Sequence, residues 1–203
     1  AMRLFLLFIY LTTALSCSAQ TQSEALVNPS ETASEEILIV YLSRTKNTKA
    51  VAEMIQEKVG GVLVSLELET PYPEDYDAIV AQVAKENETG ILPPLETEVD
   101  VSQYRTVFVG FPTWGMQLPP PMKTFLSEND LSGKMVIPFN TNAGYGIGSS
   151  FDKVEELCPE STILEGYSTR GGIERDGVLF VMEGEKEEEV KTEVDAWLGR
   201  LGF

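Results

Sequence analysis

The chain has 203 residues, of which 43% are hydrophobic, and this composition suits one well-filled domain better than two. It carries 15 basic and 32 acidic residues, a formal net charge of -17 at pH 7, which disfavours binding to nucleic acid or to an anionic membrane surface. Histidine is absent, so the commonest general base and the commonest metal ligand are both missing. The sequence therefore gives little support to a hydrolase or a metal site, and we predict neither a metal ligand nor a catalytic acid or base.

Residues 1–19 have the layout of an export signal. Arg3 precedes an apolar run at residues 4–15, and small residues follow that run. The run is shorter than the roughly 20 residues that a membrane-spanning helix needs. The stretch Ala14-Leu-Ser-Cys17 resembles a bacterial lipobox, so two routes stay open: a lipid anchor on Cys17, or cleavage after Ala19 that releases the protein. Both routes predict an exported bacterial protein, either periplasmic or a membrane-anchored lipoprotein.

A spacer and one domain follow the signal. Residues 20–35 are polar and aperiodic and contain Pro29, which is typical of a flexible linker. The predicted folded domain therefore comprises residues 36–203. We expect Cys158 to be a buried residue at a helix end and not part of a disulfide, because either processing route leaves it without a partner thiol.

From residue 36 onward, short apolar runs alternate with helical patterns, which is typical of βαβ units and a parallel sheet. The predicted strands, in chain order, are residues 37–42, 62–68, 106–111, 135–139 and 162–167. A helix follows each strand and is marked by apolar residues at three- and four-residue spacing. These are Val51, Met54, Ile55 and Val59, then Tyr76, Ile79, Val80 and Val83, then Met122, Phe125 and Leu126, then Phe151, Val154 and Leu157, and finally Val190, Val194, Trp197, Leu198 and Leu201.

Glycine, proline and serine residues mark several predicted helix boundaries. Gly60 and Gly61 end the first helix, and the prolines at 119–121 begin the third. Ser149 or Ser150 is expected to cap the fourth helix with its hydroxyl. The apolar run at residues 178–182 predicts an extra strand or hairpin before the last helix.

The first strand ends in the hydroxyl-rich turn Ser43-Arg-Thr-Lys-Asn-Thr48, which opens a helix. A strand that turns into a helix N-terminus aims unpaired N–H groups and the positive end of the helix dipole at one point, as a phosphate site requires. The turn lacks the glycine spacing of a P-loop or a dinucleotide fingerprint, which favours a phosphate monoester such as the tail of FMN. The alternative that this turn only caps a helix stays open. We expect the charges of Arg44 and Lys49 to be solvated.

Two further loops follow predicted strands. Residues 111–118 read Phe-Pro-Thr-Trp-Gly-Met-Gln-Leu, and residues 140–148 read Asn-Thr-Asn-Ala-Gly-Tyr-Gly-Ile-Gly. A tryptophan in such a loop needs a flat packing partner, and the glycines permit close approach of a ligand to the backbone. Taken alone, Trp114 could be a packing residue, and the glycine-rich loop at 140–148 could be a simple turn. Because ligands of open parallel sheets bind at the carboxyl ends of the strands, the three loops together predict a phosphate site with two walls for an aromatic ring.

These three motifs together resemble the flavodoxin-like family, over about residues 37–203. The resemblance implies a three-layer α/β fold with a five-stranded parallel sheet of order 2-1-3-4-5, helices on both faces, and non-covalently bound FMN. The candidate cofactor-binding residues are Ser43, Arg44, Thr45, Lys46, Asn47 and Thr48 in the phosphate loop, Pro112, Thr113, Trp114, Gly115 and Met116 in the first ring loop, and Thr141, Asn142, Gly144, Tyr145 and Gly146 in the second ring loop. The chain departs from the family pattern at Lys46, where glycine is frequent, and at Tyr145, which either stacks on the flavin or fills its place.

The resemblance implies an FMN-binding flavodoxin that transfers electrons, with a redox partner that presents a basic face. The acidic shell should lower the potential of the second one-electron reduction of the flavin, and Gly115 would allow the backbone to reorient towards flavin N5. One alternative is an FMN-dependent NAD(P)H:quinone reductase, which export disfavours because pyridine nucleotides are scarce outside the cytoplasm. Another is a flavodoxin fold that has lost FMN and serves as a binding module.

Overall fold

The computed structural model describes residues 36–203. The predicted export signal, with Cys17, and the predicted linker of residues 20–35 lie outside the described residues. The strands and helices are β1 (Ile37–Tyr41), α1 (Asn47–Val59), β2 (Val62–Ser65), α2 (Tyr76–Thr89), β3 (Thr106–Pro112), α3 (Pro120–Glu128), β4 (Met135–Asn142), α4 (Ser150–Leu157), β5 (Thr162–Ile163), β6 (Tyr167–Arg170) and α5 (Gly184–Leu201). In this part of the chain, no helix is both long and apolar enough to cross a membrane.

The strands form one parallel sheet of order β2-β1-β3-β4-β5, which confirms the predicted order. In the central pair, Ile37 to Tyr41 lie beside Thr106 to Gly110. β4 extends this ladder as far as Thr141, which pairs with Pro112. β3 and β4 are thus longer than predicted, and several candidate site residues belong to strand ends rather than to free loops.

The core has two halves, one on each face of the sheet. Side chains alternate along β1, so Ile37, Ile39 and Tyr41 pack against α1 and α5, while Leu38 and Val40 pack against α3 and α4. The central strands are therefore buried on both faces, which explains their nearly continuous apolar sequence. Helices cover both faces of the sheet, as predicted.

Helix α2 differs from the other four helices because neither half of the core contains any of its residues. Ile79 and Val83 are buried, but Val80 is 48% exposed. Polar contacts hold the helix in place: Tyr72 Oη donates to Glu86 at 2.5 Å, and Lys123 Nζ of α3 donates to Asn87 Oδ1 at 2.8 Å. The predicted helix forms, but one apolar side of it does not pack against the sheet.

The fifth strand position is occupied by two short strands instead of the single predicted strand at 162–167. Both β5 and β6 pair with β4, but the register shifts by one residue between the Val136–Ile163 pair and the Phe139–Tyr167 pair. This is a β-bulge, and it lies beside Pro138, which has no N–H for the ladder. Phe151 also crowds the bulge, since a Cβ on Gly166 would lie 2.4 Å from its ring.

Three further predictions about local structure are corrected. The second strand ends at Ser65 rather than residue 68, because the chain turns away and Leu68 pairs antiparallel with Leu95. Residues 178–182 form no extended strand: Val178 makes one antiparallel bridge with Ile173 across a short turn, and the backbone of Leu179 and Val181 then bonds to the side chain of Asn47. Neither Ser149 nor Ser150 caps α4: the Ser149 hydroxyl donates to the carbonyl of Met116 at 3.4 Å, and among the described residues the buried Ser150 hydroxyl has no hydrogen-bond partner. The expectation that Cys158 is buried at a helix end is confirmed: it lies just after α4, and burial raises the pKa of its thiol to about 11.

Candidate functional site

A cavity of about 880 Å³ lies at the carboxyl ends of β1, β3 and β4. One wall, here called the strand-end wall, comes from residues 43–48, 112–117 and 141–146. The opposing wall, here called the α2 wall, consists of Ile79, Val80, Val83 and Ala84. The predicted site residues that border this cavity are Arg44, Thr45, Asn47, Thr48, Pro112, Thr113, Trp114, Gly115, Met116, Thr141, Asn142, Tyr145 and Gly146. Ser43, Lys46 and Gly144 lie in the same loops but do not line it.

The phosphate loop has the form of an anion cradle. The first bonds of α1 are those from the Ala50 amide to the Lys46 carbonyl, at 3.0 Å, and from the Lys49 amide to Ser43 Oγ, at 3.1 Å. Among residues 36–203, no group accepts a hydrogen bond from the amides of residues 43–48. These unpaired N–H groups and the positive end of the α1 dipole together favour an anion at this position.

Lys46 takes the backbone conformation that favours glycine. It has a φ of 67° at the residue immediately before α1. A left-handed conformation costs a residue with a side chain roughly 1–2 kcal/mol. The sequence departure at this position therefore adds strain to the loop but does not distort it, and the lysine side chain remains exposed.

Thr48 and Thr141 supply hydroxyl groups from two different elements. Their hydroxyl oxygens lie 2.8 Å apart, and both residues are buried. A single hydrogen bond joins the two hydroxyls, so one of their two hydrogens is left to donate elsewhere. Since both residues border the cavity, this hydrogen is available to a phosphate oxygen.

Asn47 holds the loop in place instead of presenting its amide to the cavity. Its side-chain nitrogen donates to the Leu179 carbonyl at 2.6 Å and to Thr45 Oγ1 at 2.8 Å. Its side-chain oxygen accepts from the Val181 amide at 3.0 Å. The residue therefore fastens the segment before α5 onto the phosphate loop.

The expectation that the charge of Arg44 is solvated is wrong. Its Nε lies 2.6 Å from Glu174, and its other nitrogens donate to the carbonyls of Pro73 and Glu74. The guanidinium thus joins the phosphate loop, the turn before α2 and the segment after β6. Sequence reasoning could not find this because all three partners, Glu174, Pro73 and Glu74, are distant from Arg44 in the chain. Lys49 is exposed as predicted, and its Nζ lies 3.6 Å from Glu53.

The first ring loop is a tight turn with two left-handed residues. Trp114 and Gln117 exchange backbone hydrogen bonds at 3.1 and 3.3 Å, while Gly115 and Met116 have φ values of 58° and 61°. This is the geometry of a type I′ turn. Trp114 packs edge to face against the ring of Tyr72, with the ring centroids 5.5 Å apart. It therefore has the aromatic packing partner that the sequence predicts. The turn is therefore fixed on one side by an aromatic contact.

The second ring loop is organised by Asn142. Its side-chain oxygen accepts from the amides of Gly144 and Gly146, at 2.8 and 3.1 Å. Gly148 lets the two ring loops touch, since a Cβ there would lie 2.0 Å from the Met116 carbonyl oxygen. Tyr145 is 65% exposed, so its ring borders the cavity and does not fill it.

The structure adds two parts of the site that sequence reasoning missed. One is the segment after β6, residues 171–175, which borders the cavity beside the phosphate loop. A Cβ on Gly171 would lie 3.3 Å from the Cβ of Asn47, so the chain passes close to the loop. In the sequence, the Gly171-Gly172 pair after a predicted strand was the feature that could have indicated this part of the site. The other part is the α2 wall, whose apolar pattern indicates burial and does not distinguish a core from a cavity.

Two ionisable groups near the cavity have a raised pKa. Burial, with the hydrogen bond to Glu86, raises the pKa of Tyr72 well above its ordinary value. The hydrogen bond to Asp176 raises the pKa of Arg175, which also donates to Tyr145 Oη at 3.4 Å. Neither group has a pKa near neutrality, as a general acid or base would require.

Together, the fold and the site define a doubly wound α/β protein with a cavity at the carboxyl edge of its sheet, whose lining is suited to an anion and a flat ring. The chain matches the sequence profile of the family described as Flavodoxin over residues 36–183. It therefore belongs to the flavodoxin family, and the predicted resemblance is confirmed.

Individual relatives agree with this assignment. A flavodoxin of Nostoc sp. strain PCC 7120 is 26% identical over 151 residues, which cover 72% of this chain and 75% of the relative. A protein from Bacteroides eggerthii that is provisionally described as a flavoprotein has 25% identity and a TM-score of 0.66, and the match covers 83% of this chain and 98% of that one. A flavoprotein from Lactobacillus acidophilus, solved in complex with FMN, shares the fold with 21% identity and a TM-score of 0.59, over 67% of this chain and 93% of its own.

Proposed function

We propose that this protein binds FMN and transfers electrons. The observation that carries the proposal is the meeting, in one cavity, of a phosphate cradle with unpaired amides and two loops suited to border a flat ring. Family membership supports FMN as the ligand, because the Nostoc relative is named a flavodoxin.

The residues present fit the phosphate of FMN. The amides of residues 43–48 and the spare hydroxyl hydrogen of the Thr48–Thr141 pair supply donors from the backbone and from uncharged side chains. Arg44 is already paired with Glu174, so the phosphate would be held by dipoles rather than by that cation. The site therefore favours a monoester over a polyphosphate, which usually requires a metal ion or a lysine.

The two ring loops fit the isoalloxazine. Trp114 and Tyr145 place aromatic surface on the cavity from different loops, and these loops are joined by the bond from the Ser149 amide to the Met116 carbonyl at 3.0 Å. When bound, FMN supplies the redox chemistry, while the protein supplies orientation and electrostatics. The glycine at position 115 already has a positive φ, which leaves its peptide group free to present either its carbonyl or the next N–H to the ring.

The charges of the chain support a low reduction potential. The formal charge of the sequence is -17. Among the described residues, the cavity is lined by two cationic side chains, Arg44 and Arg175, and both are paired with carboxylates. A negative charge gained by the ring would thus lie in an acidic field without an unpaired cation in the lining, which makes the second reduction costly.

We also propose that the protein works outside the cytoplasm, on the basis of the export signal predicted for residues 1–19. A lipid on Cys17 would hold it at a membrane, and cleavage after Ala19 would release it. A redox partner with a basic face would complement the acidic surface and associate faster at low ionic strength.

Anaerobic spectroelectrochemistry of the FMN-loaded protein tests the proposed function. We expect two separate one-electron steps, with the second potential below that of free FMN. Added salt should raise the second potential, because counterions screen the acidic shell. A single two-electron wave at the potential of free FMN would refute the electron carrier. Steady oxidation of NAD(P)H in the presence of a quinone would instead identify a reductase.

A further inference from the structure

Tyr72 connects three parts of the candidate site, although it does not itself border the cavity. Its ring packs edge to face against Trp114 of the first ring loop, with the ring centroids 5.5 Å apart. Its hydroxyl donates to Glu86 of α2 at 2.5 Å. The two residues that follow it in the chain accept hydrogen bonds from Arg44 of the phosphate loop. The proposed function gives no task to Tyr72 or to Glu86.

The backbone around Tyr72 is stiff. Tyr72 lies between Pro71 and Pro73, and each proline fixes its own φ and restricts the residue before it. The Arg44 guanidinium then donates to the Pro73 carbonyl at 2.9 Å and to the Glu74 carbonyl at 2.5 Å. Because one rigid planar group makes both bonds, the chain just after Tyr72 is held in a fixed position relative to the phosphate loop.

The hydroxyl of Tyr72 is held by a buried carboxylate. Glu86 is 7% exposed, and among residues 36–203 it forms no salt bridge. Its two oxygens accept from the Tyr72 hydroxyl at 2.5 Å and from Gln82 Nε2 at 2.8 Å. Burying a carboxylate without a cation is costly unless such bonds satisfy it, and hydrogen bonds to a carboxylate are roughly twice as strong as neutral ones. Glu86 therefore fixes the ring of Tyr72 at the end farthest from the backbone.

The indole of Trp114 needs this support because the bonds of its own loop fix only the backbone. Trp114 and Gln117 exchange backbone hydrogen bonds, and the bond from Ser149 to the Met116 carbonyl also joins backbone groups. The indole is only half-buried against one half of the core, so core packing alone does not select one rotamer. An edge-to-face contact with a Tyr72 ring that is held at both ends selects one.

We propose that Tyr72 is a positioning residue, which holds the Trp114 indole in place for the flavin ring. Glu86 and Arg44 in turn hold Tyr72, one at its hydroxyl and the other at the chain that follows it. The flavin in this inference rests on the proposed function, whereas the fixed indole is a property of the protein without FMN. A change at Tyr72 should therefore alter the ring end of the site and leave the phosphate cradle intact.

The indole N–H signals of the FMN-free, nitrogen-15-labelled protein test the position of Trp114. The chain has two tryptophans, and Trp114→Phe assigns their signals. The Trp197 indole donates to the Glu165 carbonyl at 2.9 Å in the other half of the core, so its signal is an internal reference. The heteronuclear NOE of each indole reports its motion on the picosecond to nanosecond timescale. A chemical shift alone would also reflect a lost ring current, so the NOE is the criterion.

Four variants separate Tyr72 from the general packing of α2. Tyr72→Leu removes the aromatic contact, and Glu86→Ala removes the bond that holds the hydroxyl but keeps the ring. Glu86→Gln keeps an oxygen acceptor for that hydroxyl. Asn87→Ala is the matched control on the same helix, because it removes the contact with Lys123 and leaves Tyr72 and Glu86 in place.

We expect the NOE of the Trp114 indole to fall in Tyr72→Leu and in Glu86→Ala, because the ring gains motion when its support is lost. The NOE of the Trp197 indole should stay unchanged in every variant. Glu86→Gln and Asn87→Ala should keep the wild-type NOE at both indoles.

With FMN added, Tyr72→Leu should change the visible circular dichroism of the flavin. It should also weaken FMN binding about threefold to tenfold, the size of effect that one aromatic contact produces. Riboflavin binding should weaken by the same factor, because the phosphate cradle is unchanged. The ratio of the two affinities therefore separates the ring end of the site from its phosphate end.

An unchanged Trp114 NOE in both Tyr72→Leu and Glu86→Ala would overturn the proposal. An equal fall in Asn87→Ala would also overturn it, because the indole would then respond to the packing of α2. Equal falls in the two Glu86 variants would show that this bond does not hold Tyr72. Wild-type dichroism and FMN affinity in Tyr72→Leu would show that the indole position does not matter to the flavin. If the wild type binds no FMN, the proposed function fails, while the signals of the FMN-free protein still decide whether Tyr72 positions the indole.

Discussion

The two walls of the cavity are built in different ways. The strand-end wall continues directly from β1, β3 and β4, whose residues are buried on both faces of the sheet. The α2 wall belongs to a helix outside both halves of the core, and contacts such as Tyr72–Glu86 and Lys123–Asn87 hold it. The strand-end wall is thus held by the core of the sheet, and the α2 wall that faces it is held by fewer core contacts. The comparison teaches that residues of one cavity can be held by two different kinds of contact, core packing on one side and polar contacts on the other.

The largest expected effect is the loss of stability when one side chain near each wall is truncated to alanine. Met122→Ala opens a cavity in the core below the ring loops and should reduce the free energy of unfolding by about 2–5 kcal/mol. Met122 is fully buried in one half of the core, whereas Ile79, although buried, lies on a helix that neither half of the core includes. Ile79→Ala should therefore lower global stability by less than about 2 kcal/mol. Urea denaturation measures both variants.

Hydrogen exchange on the wild type supplies the independent check of this difference. We expect the amides of α2 to exchange by local opening, while those of α1 exchange only on global unfolding. Equal protection of the two helices, together with an equal loss of stability in both variants, would contradict the distinction between the walls.

Asn47 and Asn87 allow a matched comparison of single asparagines. Asn47→Ala removes bonds to Thr45, Leu179 and Val181 and leaves partly buried backbone groups unpaired, so it should destabilise by about 2–3 kcal/mol. Asn87→Ala removes one acceptor for Lys123 and should cost about 1 kcal/mol or less. Chemical denaturation of both variants measures the difference. A similar loss in the two would show that Asn47 does not fasten the segment before α5.

The strain at Lys46 predicts a gain in stability. Lys46→Gly relieves a left-handed residue and should stabilise the protein by about 1 kcal/mol, since glycine adopts this φ without a steric penalty. Lys46→Ala is the control, because alanine keeps the penalty and should give no comparable gain. Thermal unfolding monitors all three proteins. A glycine variant no more stable than the alanine variant would rule out stored strain in the phosphate loop.

The smallest expected effect is on the free energy of unfolding at alkaline pH. The pKa of Tyr72 is raised in the folded state by burial and by its bond to Glu86. The folded state therefore holds this proton more tightly than the unfolded state, so the contribution to stability is complete below about pH 10 and is lost above it. Tyr72→Phe should make the alkaline decline shallower in urea titrations across that range. Tyr167 also has a raised pKa, caused by burial and Glu193, so part of the decline should remain. If the free energy of unfolding fell with pH as steeply in the variant as in the wild type, Tyr72 would not contribute to the alkaline loss of stability.

Much of the fold could be predicted from the sequence because the periodic patterns have direct physical causes. The apolar residues of β1 and β3 fit strands buried on both faces, and the spacing of Val190, Val194 and Trp197 fits one helix face. The break between β5 and β6 was missed because a bulge depends on Pro138 and Phe151, which lie in other elements. Residues 178–182 have strand-forming side chains, but only Val178 bridges to another backbone segment, and Leu179 and Val181 bond to the side chain of Asn47 in α1, which no local pattern reveals.

The candidate site was predictable where it follows strand ends and unpredictable where it depends on tertiary contacts. Thirteen predicted residues border one cavity, because parallel strands bring their carboxyl ends to one edge. Arg44 was misjudged because its partner Glu174 is distant in sequence. The α2 wall was missed because apolar residues at helical spacing do not reveal whether they meet a core or a cavity.

Titration of the FMN-free protein into FMN tests the central claim most directly. We expect saturable quenching of flavin fluorescence at one FMN per chain. Riboflavin, which lacks the phosphate, should bind at least about tenfold more weakly because it leaves the amides of residues 43–48 unused. Unchanged FMN fluorescence at micromolar protein would contradict FMN binding. Equal affinity for FMN and riboflavin would contradict the phosphate cradle.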